Sequence, residues 1–462
     1  MTAAVATSFY ARVRQEFSTL MGLAIPIFIA QLANTGMGVA DTIMAGRVSS
    51  EDLAGVSSGS SVWIPIFLFM TGVAMATTSK VARLFGSGDE RNIGVLVRQS
   101  LWLNLLIGCV LGVVLWNARP LLELMHVENK LMDVAIGYLQ AIAIGFPFLA
   151  LSLVLRSYSE GIGRTRPGTV INFLGLLLNI PLNYILINGK FGFPELGGVG
   201  CGWATAAVCV FNVICFVIWI KWAPYYRKSM PFKRFDFPKK QPQQELIKLG
   251  FPIGIAIFVE ASIFSVITLL LLYGGLNADT VSGHQVALSI SSVTFMVPYA
   301  ITMSVTVRVG QNLGAGNGLA ALFSAKVAMA CAILFSLILM VLMLCFTTQL
   351  ASIYSREAEV IAIASTLIVF AAFYQLPDAI QLISAGALRG YQDTNVVMLI
   401  TLIAYWGIGL PLGYSLGLTQ VFGIAEGPAG FWKGLIAALT CAAIFLSWRL
   451  YYTARKNLTL FR

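Results

Sequence analysis

Charge is scarce in this sequence. Only 11% of its 462 residues are Asp, Glu, Lys or Arg, against 58% hydrophobic, where an ordinary soluble protein carries about 25% charged residues. A water-soluble surface cannot be built from that supply. The runs Leu101 to Trp116, Ile361 to Tyr374 and Gly434 to Trp448 lack the charged face that an amphipathic helix needs. Lipid is the solvent they imply. Histidine is nearly absent, and the seven cysteines at 109, 201, 209, 215, 331, 345 and 441 stand in or beside apolar stretches without ligand spacing. They read as packing residues, with no disulfide framework or metal centre implied. His126 reads as a solvated residue of an outer loop. No Ser/His/Asp arrangement stands at useful spacing, and Gly86-Ser-Gly88 and Gly314-Ala-Gly316 lack the Lys-Ser/Thr of a phosphate-binding loop. The chain is therefore not expected to be an enzyme or to hydrolyse ATP. Energy for any transport must come from an ion gradient or from the substrate's own. An intramembrane enzyme and a channel are the alternatives, told apart by product formation and by uncoupled conductance.

A window of about 20 mostly apolar residues per helix predicts spans near 19–42, 52–79, 94–116, 133–155, 168–188, 200–222, 246–274, 281–307, 322–348, 359–386, 395–417 and 429–451. The first is longer than a signal peptide's apolar core and lacks a clear cleavage pattern, so it reads as a retained span. The net charge of +10 would suggest a nucleic-acid partner in a soluble protein, but here the basic residues flank apolar runs and set orientation. One side collects Arg12, Arg14, Lys80, Arg83, Arg91, Arg98, Arg156, Arg164, Arg166, the cluster at 221–248, Arg308, Lys326, Arg389 and the basic residues from Arg449 to Arg462. The other keeps only Arg47, Arg119, Lys130, Lys190, Arg356 and Lys433. Both termini and the 223–245 connection are thus expected in the cytoplasm, and no nucleic-acid partner is expected.

The second half of the chain repeats the first. Leu23-Ala-Ile-Pro26 returns as Leu249-Gly-Phe-Pro252, Val81 to Gly88 as Val309 to Gly316, Pro147 as Pro377, and Ile180-Pro-Leu-Asn-Tyr184 as Leu410-Pro-Leu-Gly-Tyr414. The offset drifts only from about 226 to 230 residues, as a duplicated unit would. The expected architecture is an all-α integral membrane protein of twelve transmembrane helices, in two six-helix bundles related by a pseudo-two-fold axis along the membrane normal. Its expected divisions are an N-terminal lobe at 1–222, a proline-rich cytoplasmic linker at 223–245 and a C-terminal lobe at 246–462.

Acidic residues inside apolar spans are costly, at roughly 2.5 to 3.5 kcal/mol for an Asp at the centre of a helix. Asp41, Glu260 and Asp378 are such residues. Asp41 lies in the small, amide-rich stretch Gln31 to Arg47, and Asp378 follows Pro377, which removes a backbone donor and leaves carbonyls available. Two carboxylates and loosened carbonyls suit Na⁺ at Glu260 and Asp378. Desolvation, which disfavours a charged carboxylate, suits a proton at the same groups. The opposing reading is that each acid only braces helices by hydrogen bonds or, for Asp41, reaches water at the outer end. Phe373, Tyr374 and Gln375 near Asp378, and Asn179 and Asn183 around Pro181, offer aromatic faces and polar tips to a cationic ligand, or simply pack the core. His284 and Gln285 lie near the outer start of the eighth span, where hydrogen bonding at an interface competes with proton relay.

The stretches QLANTGMGVADTIMAGR at 31–47, PIGIAIFVE at 252–260, and Tyr374 to Asp378 followed by Ala387 to Asp393 resemble the multidrug and toxic compound extrusion (MATE) exporters, in their NorM-like bacterial branch. The resemblance covers essentially the whole chain. It implies a V-shaped pair of six-helix bundles working as a monomer in the inner membrane. Such an exporter expels cationic, amphipathic drugs and dyes by antiport with Na⁺ or H⁺ through alternating access, with no further cofactor. It also implies cation-coupling roles for Glu260, Asp378 and Tyr374, and proton or substrate roles in the N-terminal lobe for Asp41 and Asn179. Ion-coupled transport of another substrate, such as a lipid-linked or organic metabolite, is the alternative.

Overall fold

The computed structural model describes residues 2–125, 127–421 and 425–460, which leaves His126 outside the described residues. Among them every regular element is a helix. In the first half these are α1 (Thr2–Gly46), α2 (Ser50–Gly86), α3 (Glu90–Trp116), the short α4 (Arg119–Leu124), α5 (Asn129–Gly161), α6 (Arg166–Ile187) and α7 (Val199–Trp222). The second half runs α8 (Lys240–Tyr273), α9 (Ala278–Gly314), α10 (Gly318–Cys345), the short α11 (Thr347–Tyr354), α12 (Ala358–Gly390), α13 (Thr394–Leu402), a π-helical stretch Ile403–Gly409, α14 (Leu410–Gly417) and α15 (Pro428–Leu460). With α13, the π stretch and α14 forming one crossing, twelve segments are long and apolar enough to span a membrane.

Each of the twelve coincides with a predicted span, and most are longer. The 37 residues of α2 or α9 rise about 55 Å at 1.5 Å per residue, well beyond a hydrocarbon core of about 30 Å. Hydropathy sees only the part in lipid. The polar turns that carry a helix past it leave no apolar trace, which is why α1 begins at Thr2 and not near Thr19.

The repeat extends to single contacts. Gly88 and Gly316 take left-handed backbone angles (φ +75° and +73°) just past α2 and α9, and the next residues, Asp89 and Asn317, cap the following helices from their side chains. These glycines make turns. The amides of Leu196 and Gly197 donate to the carbonyls of Leu186 and Ile187, and those of Glu426 and Gly427 donate to Leu416 and Gly417 in the same way. Three residues after each pair, Gly200 and Gly430 press against the end of the preceding span. A Cβ would stand 2.9 Å from the Ile187 nitrogen in the first case and 2.5 Å from the Gly417 nitrogen in the second.

Two compact units emerge, one of residues 29–254 and the other of 1–28 with 255–462. The chain passes between them at Phe28/Ile29 in α1 and at Gly254/Ile255 in α8, corresponding places in the repeat. The sequence reading divides the chain at the proline-rich connection instead, but this connection is bound to one unit. The Arg98 side chain is ion-paired with Asp236 and donates to the Pro231 carbonyl, Gln99 donates to Phe237 and accepts from the Lys239 amide, and the Tyr158 hydroxyl bonds Ser229. In the other unit the leading part of α1 is held by Glu16, which receives two hydrogen bonds from Arg308 (2.9 and 2.7 Å) and one from Ser324 (2.6 Å).

Candidate functional sites in the two units

In the 29–254 unit, α1, α6 and α7 bring a set of amides and hydroxyls onto Asp41. Asn179 and Asn183 are four residues apart, so both face the same side of α6. Their amides donate to Asp41 Oδ1 at 3.2 and 2.6 Å, and Asn183 also donates to Asn179 Oδ1 at 3.0 Å. From α7, Thr205 donates to Asp41 Oδ2 at 3.1 Å and the Cys201 thiol donates to the Asp41 carbonyl at 3.6 Å. Asp41 is 6% exposed, and both asparagines are fully buried. Its carboxylate enters no ion pair among the described residues and is held by neutral donors, an arrangement that accommodates either a proton or a small cation. Sequence reasoning picked out Asp41 and Asn179 as site residues and offered Asn183, across Pro181 from Asn179, only as a polar tip for a ligand. It missed Thr205, since a hydroxyl in an apolar run carries no signal of its own.

The second cluster lies wholly in the other unit. Glu260 of α8 is partly exposed, whereas Asp378 of α12 is fully buried; the sequence reading expected both to be buried. Neither carboxylate oxygen of Asp378 has a hydrogen-bond partner among the described residues. On the same face of α12, one turn away in each direction, stand Tyr374 and Gln381. The Tyr374 ring packs edge-on against Trp432 (5.9 Å) and Phe264 (6.4 Å). The hydroxyl of Tyr405, from the π-helical stretch, lies 3.3 Å from Glu260 Oε1 and 3.2 Å from Gln381 Oε1. Glu260 acts electrostatically on Asp378, and the charge of Arg389 acts on Glu260. Arg389 is only 4% exposed. The sequence reading counted it as a flanking loop charge; at the end of α12 it is instead packed inside the bundle.

Of Phe373, Gln375, His284 and Gln285, which the sequence also offers to a substrate cavity, two are buried and two are exposed. Gln375 is buried and donates to Thr294 at 2.7 Å, while its carbonyl oxygen has no partner among the described residues. Phe373 is 50% exposed, since residues two apart on a helix of 3.6 residues per turn point in different directions. His284, fully buried, accepts from Trp432 Nε1 at 3.3 Å. Gln285 is exposed and donates to Thr268. Sequence reasoning missed Tyr405, Gln381, Trp432 and the burial of Arg389.

Residues 26–185 and 252–415, the two copies of the repeat, each match the family described as MatE. The chain is 53% identical over 446 residues to the multidrug resistance protein PmpM of Pseudomonas aeruginosa, spanning 96% of this chain and 93% of that relative. It is 41% identical to the multidrug resistance protein MdtK of Proteus mirabilis, over 96% of this chain and 97% of the relative. Among solved structures, it resembles the eukaryotic MATE transporter AtDTX14 with a TM-score of 0.85 at 19% identity, covering 97% of this chain and 100% of the other. A MATE structure in a bent conformation gives 0.86 at 18% identity, over 96% and 97% of the two chains.

Proposed function

Because this chain belongs to the multidrug and toxic compound extrusion family, we propose that it is a multidrug efflux antiporter. It exports cationic, amphipathic drugs and dyes across the inner membrane, with both termini cytoplasmic, in exchange for Na⁺ or H⁺. Support comes from two relatives at 53% and 41% identity that are named multidrug resistance proteins. The observation that carries the coupling role is Asp378. A fully buried carboxylate with no hydrogen-bond partner for either oxygen among the described residues is strongly disfavoured unless a proton or a cation neutralises it.

Glu260 and Asp378 take up the coupling ion, and the Tyr374 ring closes one side of the site. Asp41, with Asn179, Asn183 and Thr205, forms a separate polar centre that serves a proton or the substrate. Exchange requires ion and drug to bias two access states in opposite directions, so an ion site and a drug site need not overlap to be coupled. Efflux of a fluorescent cationic dye from reconstituted vesicles, under Na⁺ and H⁺ gradients imposed separately, tests this reading. Wild-type protein should export under at least one gradient, and Glu260→Gln and Asp378→Asn should each lose gradient-driven export per inserted molecule while still binding dye at equilibrium. Undiminished coupling in both variants would overturn the assignment. Lower thermal stability with normal coupling would return the pair to helix bracing.

A further inference from the structure

The 223–239 segment does more than connect two runs of helices. It folds over α3 and α5 and forms with them an open cavity of about 500 Å³. Apart from Arg98, the helix side of that cavity is apolar, made by Leu101, Trp102 and Leu105 of α3 and Leu151 of α5. Farther along, α3 turns Leu106, Val110 and Val113 outward, 55 to 64% exposed, as a lipid-facing helix does. The segment supplies the opposite wall, with Phe232 and Phe235 beside Lys233 and Arg234.

Two features fix the chemistry of the occupant. Phe235 and Phe237 are 70% and 75% exposed although their rings stack edge-on with each other and Phe235 stands 5.8 Å from Trp102. Aromatic rings held this open belong at a bilayer interface and not in bulk water. Arg98, also in the lining, is engaged by Asp236 and the Pro231 carbonyl. Lys233 and Arg234, by contrast, are exposed and enter no ion pair among the described residues. An apolar wall continuous with a lipid-facing helix, edged by two uncompensated cations, complements a molecule with a hydrocarbon tail and an anionic head.

We propose that this cavity binds an anionic phospholipid from the leaflet that the segment lies against, its acyl chain along Leu101, Trp102 and Leu105 and its phosphate between Lys233 and Arg234. The position of Trp102 makes the site readable. The full-length protein is reconstituted in phosphatidylcholine vesicles containing a fixed fraction of either phosphatidylglycerol or phosphatidylcholine brominated on one acyl chain. Tryptophan quenching is then compared with that of Trp102→Phe. The Trp102 component should be quenched at several-fold lower mole fraction by the anionic lipid. In the Lys233→Gln/Arg234→Gln double variant this preference should disappear, the two lipids quenching at the same mole fraction. Native mass spectrometry supplies a second measurement independent of Trp102→Phe, with phosphatidylglycerol retained by the wild type and lost from the double variant. Equal quenching by the two brominated lipids, or full retention in the double variant, would overturn the proposal. So would displacement of the brominated lipid by millimolar inorganic phosphate, which would mark a site for phosphate alone.

Discussion

At the scale of single residues, the acids and their neighbours differ in how visible they are. An Asp or Glu in an apolar run stands out because it is expensive there, so Asp41, Glu260 and Asp378 were legible from the sequence. Tyr405 and Gln381 were not, because a tyrosine or a glutamine among apolar residues is ordinary until its neighbours are known. Asp41 makes a direct prediction. Asp41→Asn keeps the shape of the cluster around Asn179, Asn183 and Thr205 but removes the charge, and should reduce dye export severalfold at unchanged expression and insertion. Unchanged efflux would leave Asp41 a purely structural acceptor. Tyr405→Phe tests the other cluster more gently, since it deletes only the hydroxyl beside Glu260 and Gln381. A hydrogen bond to a charged group contributes roughly 1.5 to 3 kcal/mol, and the 3.3 Å contact to Glu260 belongs at or below the low end. The ion concentration giving half-maximal efflux should shift about tenfold or less, with maximal rate retained. A variant that lost thermal stability and kept its ion dependence would show that Tyr405 only packs.

At the scale of elements, the same proline gives two outcomes. Pro181 and Pro411 occupy equivalent places in the repeat, yet α6 runs on as an α-helix through Pro181 while a π-helical stretch precedes Pro411. A proline removes one donor and crowds the carbonyl four residues earlier. In the second half that earlier position is Gly407, and Gly409 follows it, whereas the first half has Leu177 and Asn179. Two glycines make the backbone easier to rewind, and Tyr405, which meets Glu260, lies in the rewound stretch. The repeat was readable in the sequence, but this local departure was not, because its cause is a pair of glycines whose effect depends on the packing around them. The glycine contacts give a graded test. Gly200→Ala and Gly430→Ala place a Cβ against backbone in both halves, and each should destabilise by about 1 to 3 kcal/mol. Gly430→Ala should be the worse, since its Cβ approaches backbone nitrogen at 2.5 Å against 2.9 Å for Gly200. Thermal unfolding of the two variants in the same detergent checks the order, and a reversed order would mean that the chain relaxes more readily around Gly417 than around Ile187.

At the scale of the whole molecule, the proline-rich connection looks like a boundary in the sequence because composition changes there, but composition does not report where a segment binds. Its hydrogen bonds to α3 and α5 keep it within the 29–254 unit, and that unit also takes in residues 240–254 from the start of α8. Residues 2–28 of α1 belong in turn with the second half. Co-expressing residues 1–239 and 240–462 as separate chains should therefore give a stable complex, whereas either chain expressed alone should be degraded or aggregate on detergent extraction. A monodisperse fragment on its own would refute this. The reciprocal loan of first-helix segments means that a polypeptide carrying one copy of the repeat alone would lack the helix segment that the other copy supplies to its bundle.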